Sequence, residues 1–164
     1  MPVTRSVDRA TARRFLVQRH LLAPPRSLPP TLDAVRTVVA RLGSLQFDPL
    51  DVTGRNHDLV LAARIGGYGR ELTDALLYDE RSLYETYNKG LSLVPTAELP
   101  WYRISWDLAA KRHAEGTFIE HADLVAELLD RIDREGALSS TDLEPRAAID
   151  WYWRPTNPIR AILE

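Results

Sequence analysis

The sequence predicts a helix-rich α+β protein, mainly α-helical with short β-hairpins. Apolar residues recur at helical spacing in several segments, and one stretch, residues 83–94, alternates loosely as a hairpin does. Glycine and proline residues separate these segments. The chain has 164 residues, 45% of them hydrophobic and 27% charged, which fits one ordinary domain or two small ones.

The first predicted helix covers residues 7–22, with Ser6 as its N-cap. Three of its apolar residues are available for burial: Ala12, Phe15 and Leu16. Prolines between residues 24 and 30 end this helix because proline lacks a backbone donor. Thr31 is predicted to cap a second helix, which Gly43 closes. The apolar residues of this second helix follow its period: Leu32, Val35, Val38, Val39 and Leu42.

An extended segment carrying Gln46 and Asp48 is predicted next, followed by an apolar stretch at 58–65 and a helix at 70–78. The hairpin at 83–94 comes after them. A helical connector at 97–114 and a helix at about 119–134 complete the regular part, and Gly136 stops the last helix. Ser139 or Ser140 then caps a further short helix, and another begins at Pro158.

The motif Gln46-Phe47-Asp48 carries the candidate chemistry. Side chains alternate along a strand, so Gln46 and Asp48 are predicted to point to one side and Phe47 into the core. A carboxylate beside an amide, held rigidly against an apolar wall, can orient and activate water. In the other interpretation, Asp48-Pro49 starts a turn and Gln46 satisfies a nearby backbone group. The pattern by itself favours this second interpretation.

The segment from Leu42 to Val52, which contains the motif, resembles the start of the winged-helix DNA glycosylases of the AlkZ/YcaQ family. Four further segments are also similar to that family: residues 55–61, 64–68, 136–143 and 151–155. The resemblance covers most of the chain, with its specificity concentrated in the first segment.

This resemblance implies a tandem winged helix-turn-helix whose second unit is incomplete. The first unit would occupy residues 1–96, and a connector with the start of the second would occupy 97–164. The implied substrate is double-stranded DNA with alkylated or crosslinked bases, and the implied reaction hydrolyses the N-glycosidic bond of N7-alkylguanine without metal or organic cofactor. Gln46 and Asp48 match the family's catalytic positions. Asp48 would stabilise the cationic sugar and act as base, while Gln46 orients water.

Members of the resembled family are longer than this chain. We therefore expect the chain to correspond to their N-terminal portion, as a fragment or a shortened relative, and to be weak or inactive alone. Aligned on Pro95, it also departs from the family pattern: Lys89 stands where the family has histidine, and Tyr87 where it has tryptophan. The role of that histidine is not carried over to Lys89.

Five residues are predicted to contact DNA: Arg13, Arg14, Arg55, His57 and Lys89. The net charge of −2 hides an uneven distribution, since residues 1–26 carry a net charge of +5 and the remainder −7. An arginine-rich leading helix can bind phosphates. The alternative for the arginines and Lys89 is a solvated surface, and for His57 it is local packing. The tryptophans could stack on bases, but core packing is the favoured prediction: Trp101, Trp106, Trp151 and Trp153.

Two other functions stay open at this point. One is a non-catalytic winged-helix module with a DNA-binding or regulatory role, and the other is a protein-interaction unit without a DNA role. The exposed edge of an unfinished second unit would favour a homo-oligomer. With no cysteine and no apolar run of membrane-spanning length, the sequence predicts a cytoplasmic protein that does not enter the membrane.

Overall fold

A computed structural model describes residues 6–48, 50–113 and 117–138 of the chain. The chain divides into two compact units, Met1–Trp101 and Tyr102–Glu164. This division falls inside the helical connector that the sequence predicts from residue 97. The first unit contains the Gln46-Phe47-Asp48 motif and most of the described core.

The N-terminal helix, α1, spans Arg9–Arg19. Its N-cap is Asp8, whose carboxylate accepts a hydrogen bond from the Thr11 backbone N–H at 2.9 Å. The predicted N-cap at Ser6 is therefore wrong, and a carboxylate suits the positive end of the helix better. The predicted burial of apolar residues on α1 is also wrong, since Phe15 is 62% exposed and Leu16 is 54% exposed.

Helix α2 spans Leu32–Leu42 and forms as predicted. Thr31 caps it, its hydroxyl accepting a hydrogen bond from the Ala34 N–H at 3.2 Å. Gly43 ends it with a φ of 86°, a left-handed conformation that glycine adopts at little cost. Four residues of the predicted apolar stripe or next to it are buried: Ala34, Val35, Val38 and Val39.

Three short strands form an antiparallel sheet: β1 at Leu45–Gln46, β2 at Leu83–Tyr87 and β3 at Leu91–Pro95. The strand order is β1-β3-β2, so β3 is central. The predicted hairpin is confirmed, with its turn at residues 88–90. Gln46 lies opposite Ser92, so the sheet places the motif beside a hairpin that is distant in sequence.

Two helices lie between β1 and β2 in the chain. Helix α3 spans Asn56–Ala62, and α4 spans Arg70–Asp74 and continues as a π-helical turn at Ala75–Asp79. The predicted helix at 70–78 is thus confirmed. Helices α2 and α3, the π-helical turn and the sheet share one hydrophobic core, whose buried residues include Val35, Val38, Val39, Leu45, Leu61, Leu76, Leu83 and Leu93.

Helix α5 spans Leu99–His113 and crosses the division between the units. It is followed by α6 at Thr117–Glu120 and α7 at Ala122–Glu135, which Gly136 ends as predicted. On α7, two leucines are buried, Leu124 and Leu128.

The predicted core packing of two tryptophans is wrong: Trp101 is 75% exposed and Trp106 is 45% exposed. The predicted second helix-turn-helix, with its cap at Ser139 or Ser140 and its helix from Pro158, lies outside the described residues. So do Trp151 and Trp153.

The observed architecture is helix-rich α+β with a small three-stranded antiparallel sheet, which confirms the predicted class. The helices of the described segments are too short or too polar for any of them to span a membrane.

Candidate active site

The Gln46-Phe47-Asp48 motif begins in β1 and leaves the sheet at the end of that strand. Gln46 is the last residue of β1 and is exposed. The Phe47 backbone N–H continues the pairing by donating to the Leu91 carbonyl at 2.8 Å. The Gln46 side chain makes no hydrogen bond with any described residue, so its amide is available to a ligand at the surface.

Phe47 packs behind the motif, as the sequence predicts. Its ring stacks on the imidazole of His57, with centroids 4.9 Å apart and an angle of 9° between the ring planes. His57 itself is fully buried, with a relative exposure of 0%. The stack therefore connects the middle residue of the motif to the first turn of α3.

Asp48 starts a turn, as one of the two interpretations predicts. Its Oδ1 accepts a hydrogen bond from the Leu50 backbone N–H at 3.0 Å, which is an Asx turn. The carboxylate is half-buried. A turn of this kind orients the carboxylate but uses only one of its oxygens, so the structural and chemical interpretations are compatible.

Asn56, the first residue of α3, also contacts the motif. Its side-chain amide donates to the Gln46 carbonyl at 3.3 Å. The backbone of the motif is therefore held from two directions, by β3 on one side and by α3 on the other.

A buried carboxylate, Asp58, lies one residue beyond His57. It accepts hydrogen bonds from Arg55 Nε at 2.6 Å and from the Tyr68 hydroxyl at 2.6 Å, and Arg70 Nε lies 3.3 Å from it. The Tyr68 hydroxyl also bonds the buried Thr73 hydroxyl at 2.7 Å. We call Asp58, Arg55, Tyr68, Arg70 and Thr73 the Asp58 cluster.

The Asp58 cluster extends to the segment that follows the motif. Arg70 makes a bidentate ion pair with Asp51, in which Nη1 lies 2.7 Å from Oδ2 and Nη2 lies 3.0 Å from Oδ1. Asp51 lies three residues beyond Asp48 in the sequence. Arg70 therefore ties the cluster directly to the far side of the motif segment.

Burial and hydrogen bonding set the charge states of these groups. Burial lowers the pKa of His57, and the attraction of Asp58 only partly opposes this. Burial acts to raise the pKa of Asp58, but hydrogen bonds from Arg55 and Tyr68 outweigh it and hold the pKa below its usual value. The pKa of Tyr68 is raised by burial and by its bond to Asp58. A neutral imidazole thus lies beside an ionised carboxylate at neutral pH.

The five predicted DNA-contacting residues lie in different settings. Arg13 and Arg14 are exposed on α1, and Lys89 is exposed in the β2–β3 turn. Arg55 is committed to Asp58, and its Nη2 lies 3.8 Å from Asp74. His57 has no exposed surface. The structure thus brings Arg55 and His57 near the motif but places their side chains in internal contacts.

Sequence reasoning missed the roles of Asp58, Tyr68 and Arg70. A signal was present, because Asp58 and His57 interrupt an otherwise apolar helix, where polar residues need partners when buried. Arg55 is a local partner of Asp58, but Tyr68 and Arg70 follow Gly66-Gly67, and no short-range pattern connects that segment to Asp58. Within the described ranges, no three histidine, aspartate or glutamate side chains converge in a group suited to a metal ion.

Comparison with known proteins gives one family match. The model of a family described as "DNA glycosylase AlkZ-like" matches residues 39–164. The matched region begins within α2 and contains the motif, the Asp58 cluster and the hairpin. No solved structure matches the chain significantly.

Proposed function

The chain belongs to the AlkZ-like DNA glycosylase family, and on this premise we propose that it hydrolyses the N-glycosidic bond of N7-alkylated or crosslinked guanine in double-stranded DNA. Family membership supports a DNA repair glycosylase as the general class. The specific substrate, the fold type and the site residues are parts of the proposal.

We propose that the first unit is a winged helix. From α2 onward its elements follow the order helix, strand, helix, helix, strand, strand, and β3 lies between β1 and β2. Helices α3 and α4 would form the helix-turn-helix and the β2–β3 hairpin the wing. The second winged-helix unit that the sequence predicts remains part of the same proposal.

The charge distribution supports DNA contact through α1 and the hairpin turn rather than through α4. A helix that enters the major groove normally presents basic or amide side chains. The segment 70–79 instead carries one arginine against three acidic residues: Glu71, Asp74 and Asp79. Helix α1 contains four arginines and no acidic residue. Arg13, Arg14 and Lys89 are therefore the proposed phosphate contacts. Arg55 and His57, whose side chains make internal contacts, would support the motif from the protein interior.

The proposed chemistry uses Asp48 and Gln46. An N7-alkylated guanine is already cationic and leaves readily, so the enzyme must stabilise a sugar with oxocarbenium character and deliver water to it. The Asp48 carboxylate supplies negative charge and a base. The Gln46 amide would hold the attacking water. The observation that carries this proposal is the placement of Gln46 as an exposed amide at the end of β1, two residues before a carboxylate whose orientation is fixed by the Leu50 N–H.

The test is base release from a duplex containing one defined N7-alkylguanine, under single-turnover conditions with protein in excess, so that slow release is detected. The parent chain is compared with Asp48→Asn and Gln46→Ala. We expect release by the parent and a loss of about a hundredfold or more in the Asp48→Asn variant, the scale of an acid–base contribution.

The matched control is Asp133→Asn, which removes an exposed carboxylate from α7 and should leave release unchanged. Equal release by the parent and both motif variants would contradict the assignment of Gln46 and Asp48. Binding of the duplex without release by the parent would instead support a non-catalytic DNA-binding module.

A further inference from the structure

We infer that Asn56 and His57, in the first turn of α3, are positioning residues that hold Gln46 and Asp48 in their working arrangement. This inference rests on the proposed function, and it concerns groups that do not themselves touch the substrate. It assigns His57 to the support of the motif through its ring, and not to proton transfer or DNA contact.

The contacts of the motif with α3 are made by these two consecutive residues. Asn56 donates to the Gln46 carbonyl at 3.3 Å, and the His57 ring stacks on Phe47 with 4.9 Å between the ring centroids. The Phe47 N–H is meanwhile held by the Leu91 carbonyl. Because Phe47 lies between Gln46 and Asp48, fixing its ring and its N–H restricts both of these proposed catalytic residues.

The Asp58 cluster in turn fixes the first turn of α3. His57 Nε2 lies 3.6 Å from Asp58 Oδ1, and Asp58 is held by Arg55 and Tyr68. Arg70 extends this support to Asp51, beyond the motif. The motif segment is therefore restrained at Phe47 by the stack and at Asp51 by the ion pair.

His57 contacts Phe47 through the face of its ring and not through its nitrogens. Neither ring nitrogen has a hydrogen-bond partner among the described residues, although the side chain is fully buried. A buried polar group without a partner costs stability, and an apolar ring would pack behind Phe47 without that cost. The flat ring parallel to Phe47 is the feature that positioning requires, so phenylalanine should replace it functionally.

The first experiment measures backbone hydrogen exchange at the Phe47 and Leu50 amides in the parent, His57→Ala, Asn56→Ala and His57→Phe. These two N–H groups report the Leu91 and Asp48 bonds directly. We expect faster exchange of both in His57→Ala and in Asn56→Ala, and parent-like exchange in His57→Phe. This readout does not depend on catalysis, so it tests positioning even if the parent releases no base.

The second experiment measures the base-release rate constant at saturating protein and, separately, the affinity for the duplex. We expect His57→Ala and Asn56→Ala to lower the rate constant by roughly tenfold to a hundredfold, as small misplacements do, with affinity unchanged. His57→Phe should retain the rate within about threefold, with the pH–rate profile of the parent. His20→Ala, which removes an exposed histidine, is the control.

Three results would overturn the inference. The first is an equal loss of rate in His57→Phe and His57→Ala with the fold retained, which would require imidazole chemistry. The second is lower affinity at an unchanged saturating rate, which would indicate DNA contact. The third is parent-like exchange at Phe47 and Leu50 in both His57→Ala and Asn56→Ala. If His57→Ala does not fold, Asn56→Ala and His57→Phe still decide the question.

Discussion

The first unit and helix α7 use charged residues in opposite ways. On α7 the ion pairs join residues four apart on one exposed surface, such as Arg134 with Asp130 at 2.8 Å. In the first unit, Asp58 is buried and contacts Arg55 just before α3, Tyr68 in the loop after α3, and Arg70 at the start of α4. The surface pairs add to a helix that forms locally, whereas the Asp58 cluster specifies how separate elements meet.

This difference teaches where charge carries structural information. Exposed ion pairs are screened by solvent and contribute little to stability. A buried carboxylate is costly unless its partners compensate its charge, so the loss of one partner is strongly destabilising. The cluster is connected to the motif segment through the Phe47–His57 stack and the Arg70–Asp51 ion pair, so its geometry and that of the proposed active site are linked. The comparison can be tested by changing one charge at a time in each region.

The largest effect is expected for Asp58→Ala. The change leaves Arg55 and Tyr68 without their buried acceptor, so we expect the free energy of unfolding to fall by about 3 kcal/mol. The matched variant Asp130→Ala on α7 should lower it by only about 0.3–0.5 kcal/mol. Urea unfolding of both variants measures the difference, and equal losses would contradict the contrast between the regions.

The next effect is a loss of stability in mild acid that originates at His57. Its pKa is lowered in the folded protein by burial, so the unfolded chain binds a proton first as pH falls through about 6.5. Stability should therefore be complete above that pH and decline below it. The Asp58 contribution is separate because its carboxyl pKa is already below the usual value, and it is lost only in stronger acid.

Thermal unfolding between pH 5 and pH 7 measures this dependence. The His57→Phe variant should lose much of it, while His20→Phe, at an exposed position, should behave as the parent. A parent-like slope in His57→Phe would show that another group causes the acid response.

A smaller effect is expected from the arginines of α1, which, unlike those of α7, form no ion pair with an acidic side chain in the part of the chain that the structure describes. Arg14 donates to the Thr11 hydroxyl and Arg19 to the Arg41 carbonyl, so their charges are not neutralised by these contacts. For Arg13→Gln combined with Arg14→Gln, we expect weaker duplex binding and a salt slope reduced by about 1 for each lost phosphate contact.

The control replaces Arg131 and Arg134 of α7 with glutamine, and its salt slope should equal that of the parent. Binding titrations at several salt concentrations measure both. A parent with no salt dependence would favour the protein-interaction alternative over any DNA role.

The smallest effect is expected for Arg134→Gln alone. The pair with Asp130 is solvent-exposed, so the loss should be below about 0.5 kcal/mol and should vanish in 1 M salt. A large loss that persists in high salt would show that α7 depends on charge as the Asp58 cluster does.

Much of the fold was predictable because its signals are local. Helix α2, with Thr31 before it and Gly43 after it, follows from capping preferences and from an apolar period that the chain carries within a dozen residues. The β2–β3 hairpin is local in the same sense. Helix α1 was placed correctly but its packing was not, since the exposure of Phe15 depends on what lies opposite the helix.

The sequence by itself determined the helix-rich α+β class, the boundaries of the helices and hairpin to within a few residues, and the family through the segment around Gln46. Only the tertiary structure decided that Phe47 stacks on His57 and that Asp58 gathers Arg55, Tyr68 and Arg70. The physical reason is the sequence separation over which the two kinds of interaction act. Capping and periodicity act between neighbours in the chain, whereas a buried carboxylate is satisfied by whichever donors the folded core brings to it.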